Sequence, residues 1–195
     1  MIKSSDEQNE SKEFKDSVLQ ELEANNKVEI GKYASWSCSS SKPGSGIEKL
    51  RDNSIETYWQ SDAQQPHFIN IQFPKKYVMD NLLIYSDYKL DESYTPSKIS
   101  VKAGTLIHDL QDIITTEFEE PQGWINIPLL VHNKPLRANF LQISVLANHQ
   151  NGRDTHIRQI KVYGSKISIE SFIQSPKYLE SLSSSTEFSM YQTIR

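Results

Sequence analysis

From about residue 67 to residue 163 the chain alternates apolar and polar positions with a period of two. Ile69, Ile71 and Phe73 fall on one side of such a pattern, and Phe68, Asn70 and Gln72 on the other. Ile99, Val101 and Ala103 alternate with Lys98, Ser100 and Lys102, and Leu141, Ile143 and Val145 with Gln142 and Ser144. Ile157, Gln159, Lys161 and Tyr163 alternate with Arg158, Ile160 and Val162. This period predicts half-buried β-strands. The unbroken run Leu82-Leu83-Ile84-Tyr85 predicts a strand covered on both faces. Pro43, Pro66, Pro74, Pro96, Pro121, Pro128 and Pro135 are expected between the strands, where a missing N–H costs nothing. Ser45 and Glu48 have capping-box spacing, which predicts a short helix near 46–51. About eight short strands with turn signals between them predict a two-sheet sandwich. A length of about 135 residues can bury such a core unaided.

The flanks differ. Residues 1–28 are charged, and Phe14, Val18 and Leu22 form one narrow helical stripe, enough for a short helix that needs a surface to lie on. Residues 166–195 are Ser-rich and read as a flexible tail. The expected organisation is therefore a charged extension (1–28), one sandwich domain (29–165) and a tail (166–195).

Composition narrows the function classes. The 195 residues include 21 basic and 25 acidic side chains, a net charge of −4. Residues 1–29 hold eight acidic and four basic residues and carry all of it. A general nucleic-acid binder would show a basic excess, so none is expected as a partner. No run approaches the roughly 20 apolar residues that span a bilayer, so no membrane partner is expected either. Met1–Glu10 is polar and lacks the apolar stretch of a secretory signal. Cys38 is the only cysteine, which excludes an intrachain disulfide and a Cys-based zinc cluster. Nucleus and cytoplasm are the expected locations.

Catalytic chemistry finds little support. Gly44-Ser45-Gly46 is not a nucleophile elbow, and Ser39 to Lys42 lacks the partner motifs of a Ser-Lys enzyme. There is no P-loop and no dinucleotide fingerprint. His149, Asp154 and His156 are three conceivable zinc ligands, and Asp52, Asn53, Thr57 and Asp62 conceivable Ca²⁺ ligands. Ordinary polar loops are the simpler account of both sets, so no cofactor is expected.

Three segments carry the remaining signal. Ala147 to His156 joins two strand patterns, with Asn151-Gly152 as a hairpin turn in which Gly152 supplies positive φ. Such a turn needs few residues, and the surplus polar side chains fit either a solvated hairpin or a binding loop. Tyr85 to Pro96 mixes aromatic and acidic residues. Phe188 to Arg195 returns to apolar residues and ends on Ile194-Arg195, which fits either a frayed tail or a docking peptide.

Glu56 to Asp62, Asp91 to Ile99, Ala147 to His156 and the Ile194-Arg195 terminus together resemble the Doc domain. Its free-standing form is a subunit of the anaphase-promoting complex, the ubiquitin ligase of mitosis. The resemblance implies an all-β, galactose-binding-type jelly-roll sandwich with flexible tails and no catalysis of its own. It implies a degron co-receptor that helps a WD40-type coactivator hold destruction-box substrates and raises the number of ubiquitins added. By the same resemblance Ser93, Asn148, His149, Gln150 and Asn151 face the substrate. Arg153 and Asp154 brace the loop or complement a charged neighbour, and Ile194 and Arg195 anchor on a tetratricopeptide-repeat subunit. The runner-up is a carbohydrate-binding module, with Trp59, Tyr88 or His149 as the flat platform for a sugar.

Overall fold

The computed structural model describes residues 17–165. Residues 17–24 form helix α1. The strands follow as β1 (Lys27–Glu29), β2 (Ser35–Cys38), β3 (Trp59–Gln60), β4 (His67–Met79) and β5 (Asn81–Asp87). The one-turn helix α2 (Tyr88–Asp91) precedes β6 (Pro96–Gly104), β7 (Gln111–Glu117), β8 (Gln122–Pro128) and β9 (Leu130–Val131). The chain then runs through β10 (Lys134–Asn148), β11 (His156–Ile157) and β12 (Gln159–Ser165).

The predicted sandwich forms. One sheet has the order β2-β4-β10-β6-β7 with β9 on β10, and the other β1-β12-β5-β8, all antiparallel. The period-two pattern sets the register. Ile143 of β10 lies opposite Ile69 of β4 and Val101 of β6, while Leu141 lies opposite Ile71 and Ala103. From the second sheet Leu82 and Ile84 pair with Val162 and Ile160. These residues are buried in one cluster between the sheets. Each such aliphatic side chain contributes roughly 1.5–3 kcal/mol by leaving water.

The double cover expected for β5 is also present, and it comes from the N-terminal flank. Leu22 of α1 is buried against Leu83 and Tyr163 on the outer face of the smaller sheet, with Val18 and Leu19 beside it. The narrow stripe thus finds the surface it needs, and the flank joins a second small core. Phe14 lies outside the described residues.

Three local expectations are corrected. Ile47–Leu50 is a 3-10 helix with Gly46 at its N-cap and no side-chain cap bond, so the Ser45–Glu48 box does not form. Pro74 lies inside β4 and not between strands, at the place where the β4–β10 register shifts between Ala138 and Phe140. A proline is tolerated there because the bulge leaves no ladder bond to its nitrogen. Pro135 likewise lies within β10, near the strand's start and opposite Leu130.

Candidate functional site

β5 and β10 belong to different sheets but end on the same side of the sandwich, so their continuations, residues 88–95 and 149–155, meet at one end. The His149 amide donates to the Thr95 carbonyl at 2.9 Å. Gln150 Nε2 donates to the Tyr88 hydroxyl at 3.0 Å, and the Tyr88 and His149 rings meet edge to face at 4.8 Å. Ser93, His149, Gln150 and Asn151 are thereby gathered on one surface, with Gln150 and Asn151 exposed.

The turn is not the one that the Asn-Gly pair predicts. Gln150 and Asn151 take the positive φ values, 51° and 57°. Gly152 has φ −58° and ψ 137°, open to any residue. Glycine is required there for room, because a Cβ would overlap the Ser93 carbonyl oxygen.

Asn148 is 6% exposed and turned inward. Its Nδ2 donates to the carbonyls of Gly152 at 3.1 Å and Asp154 at 2.8 Å, and its Oδ1 accepts from Thr155 Oγ1 at 3.0 Å. All three bonds go to its own loop, so it shapes the surface from beneath. The Arg153 side chain is exposed, while its carbonyl accepts from His67 Nε2 at 2.9 Å and from Gln65 Nε2 at 3.3 Å. Asp154 is half-buried and contributes its carbonyl to Asn148. Ile194 and Arg195 lie outside the described residues.

Below this surface is a buried polar junction that the residue pattern did not single out. Asp91 is 5% exposed. It accepts from His156 Nδ1 at 3.0 Å, Arg158 Nε at 2.9 Å and Arg158 Nη2 at 2.8 Å. A carboxylate only accepts, so His156 carries its proton on Nδ1. Burial alone would raise the Asp91 carboxyl. The hydrogen bonds from His156 and Arg158 and the guanidinium charge outweigh burial and hold it below its ordinary value of 3.8. The sequence signal was present as charged residues at 91 and 158 inside strand-like and loop patterns, but nothing in the spacing pairs them.

Metal sites find no support among the described residues, where no three His, Cys, Asp or Glu side chains converge. The His156 Nδ1 is taken by Asp91 at 3.0 Å. Asp52 accepts from Ser54 N at 2.9 Å, Thr57 Oγ1 at 2.6 Å and Gln159 Nε2 at 2.7 Å, which is a turn bonded to itself and to β12. Trp59 is fully buried and cannot lie flat beneath a sugar.

The family described as "Anaphase-promoting complex, subunit 10 (APC10)" matches residues 2–193 of the chain. "Anaphase-promoting complex subunit 10" of Dictyostelium discoideum is 65% identical over 195 residues, covering 100% of both chains. The protein of the same name from Homo sapiens is 54% identical over 168 residues, 86% of this chain and 88% of its own. Among solved structures, a family 32 carbohydrate-binding module from Clostridium perfringens NanJ in complex with galactose superposes with a TM-score of 0.59. It is 14% identical and covers 71% of this chain and 99% of its own. CBM32-3 from a family 31 glycoside hydrolase of the same organism gives 0.61 at 15% identity, covering 73% and 97%. These two likenesses establish a galactose-binding-type jelly roll and carry no sugar specificity to this chain.

Proposed function

The chain belongs to the anaphase-promoting complex subunit 10 family, and on that footing we propose that it works in this ubiquitin ligase as a non-catalytic degron co-receptor. It holds destruction-box substrates together with a WD40-type coactivator and lengthens the ubiquitin chain built per encounter, in the nucleus and cytoplasm of dividing cells. The observation that carries this reading is the union of two distant loops at one end of the sandwich. Ser93 and the turn His149-Gln150-Asn151 are some 55 residues apart in sequence, yet the Thr95 carbonyl and the His149 amide bond directly.

The chemistry suits an extended peptide. The exposed amides of Gln150 and Asn151 donate and accept, so they can bond either edge of a peptide backbone. Arg153 offers a cation at the rim for a charged neighbour, and Asn148 serves as the brace beneath. Each neutral hydrogen bond contributes about 0.5–1.5 kcal/mol. Replacing His149, Gln150 and Asn151 together with Ala is expected to shorten ubiquitin chains on destruction-box substrates. Assembly and melting temperature are retained, and substrates without the box are unaffected. Unchanged processivity in an assembled, normally melting variant would refute the co-receptor role.

Ile194 and Arg195 complete the reading as the anchor on a tetratricopeptide-repeat subunit, the isoleucine filling an apolar pocket and the guanidinium pairing with carboxylates. Removing both residues is expected to lower recovery of this chain with the assembled ligase, measured by co-purification. Full recovery would assign anchoring to the sandwich instead.

A further inference from the structure

Three loops meet at one buried carboxylate. Asp91 belongs to the 88–95 loop, and its partners His156 and Arg158 lie in and just after β11. Arg158 Nη1 reaches further and donates to the Ile55 carbonyl at 2.7 Å, which ties in the 52–58 loop. The His156 ring is enclosed between Tyr58 and Tyr94, with centroids at 4.0 and 4.2 Å and near-parallel planes. A buried ion set is expensive to desolvate, and apolar packing of the same volume stabilises as well or better. What the carboxylate adds is direction: three donor atoms on two residues of the β11–β12 corner fix where the 88–95 loop sits.

That position is set tightly on the other side. Gly152 packs against the Ser93 carbonyl with no space for a methyl group. The backbone of Glu92, at φ 45° and ψ −114°, is held in a conformation that few residues adopt. We infer that Asp91, gripped by His156 and Arg158, is a positioning residue that holds the Ser93 loop against Gly152, so that Ser93 and His149–Asn151 present one preorganised peptide-binding surface. The inference rests on the degron reading of that surface. Preorganisation raises affinity by removing the ordering cost of the loops at binding.

The test uses the full chain, free and in the assembled ligase, with a destruction-box substrate as probe. His156→Phe keeps a ring between the two tyrosines and removes the Nδ1 donor, while His156→Asn restores a donor near that position. His156→Phe is expected to speed amide hydrogen exchange in residues 92–95 and 149–152 and leave the amides of β4, β6 and β10 slow. It should raise the apparent KM for the substrate about three- to tenfold with little change in the saturated rate, since the surface binds substrate away from the reacting groups and its loss removes uniform binding. His156→Asn should recover most of both effects. Gly152→Ala is the second variant. It leaves the ion set untouched and is expected to move the same loop amides and the same KM. Unchanged loop exchange in both His156→Phe and Gly152→Ala would overturn the inference. So would an unchanged KM in both while the His149, Gln150 and Asn151 triple variant is impaired. If that triple variant is fully active, the degron reading falls, and loop exchange alone then decides whether Asp91 positions the loop.

Discussion

An aspartate organises a loop at each end of the sandwich, and the two do so differently. At the end that carries the 88–95 and 149–152 loops, Asp91 is held by His156 and Arg158, 65 and 67 residues away. At the opposite end Asp109 closes the β6–β7 turn by accepting from the amides of Thr105 at 2.8 Å and Leu106 at 2.7 Å, four and three residues away. Both carboxyls sit below their ordinary value. For Asp109 the first cause is the Leu106 amide, and for Asp91 burial works against the shift and the two basic partners prevail. Both loops expose apolar residues, Leu106 and Ile107 at 57% and 49% beside Asp109 and Leu90 at 65% beside Asp91, but only the Asp91 carboxylate is enclosed, at 5% exposure. A turn closed by its own backbone bends locally, whereas a loop tied across the fold has its position dictated by the sheets.

The largest expected effect tests that contrast directly. Arg158→Ala leaves the Asp91 charge buried without its guanidinium, at a cost of about 3–5 kcal/mol. For a domain of this size that is a fall in melting temperature of roughly 10 °C. Asp109→Ala, whose carboxylate is in water, is expected to lower it far less. Equal losses in calorimetry would erase the distinction between the two ends.

Acid titration gives the next effect. Asp91 has a depressed folded pKa, so its contribution is complete above the ordinary value of 3.8 and is lost as pH falls through the folded value. The stability gap between the parent and Asp91→Asn should therefore be widest above pH 3.8 and narrow below it. A gap constant with pH in denaturant titrations would show that the carboxylate's charge is not what holds the loop.

The smallest effect sharpens the comparison from the other side. Replacing Leu106, Ile107 and Leu130 with Ser changes exposed positions and should alter stability by no more than about 0.5 kcal/mol each. Destruction-box affinity, read in the same ubiquitination assay as the loop variants, should stay within about twofold, because this end lies across the sandwich from the 88–95 and 149–152 loops. A marked loss would extend the substrate surface to the opposite end.

Alternation along β4, β6, β10 and β12 was sufficient to place the main core, because a strand's side-chain period is fixed by its own backbone. The unbroken run in β5 announced cover on both faces without saying what the cover was. Only the packing of Leu22 on Leu83 and Tyr163 identified α1 as that cover. Gly152 shows the limit from the other direction. Residue type pointed to a positive φ at Gly152 in an Asn-Gly turn, but the neighbouring Ser93 loop, distant in sequence, decided that the glycine is there for clearance.

By itself, then, the sequence determined the strand pattern, the sandwich class, the polar excess of the 148–156 loop and the family. Each of these is a property of local periodicity or of contiguous motifs. The tertiary structure alone decided that Asn148 faces inward while Gln150 and Asn151 face out, and that Asp91, His156 and Arg158 share one buried site. Those facts depend on which strand ends the sheet register brings together, and pairing between residues some 65 positions apart leaves no spacing that a single chain can display.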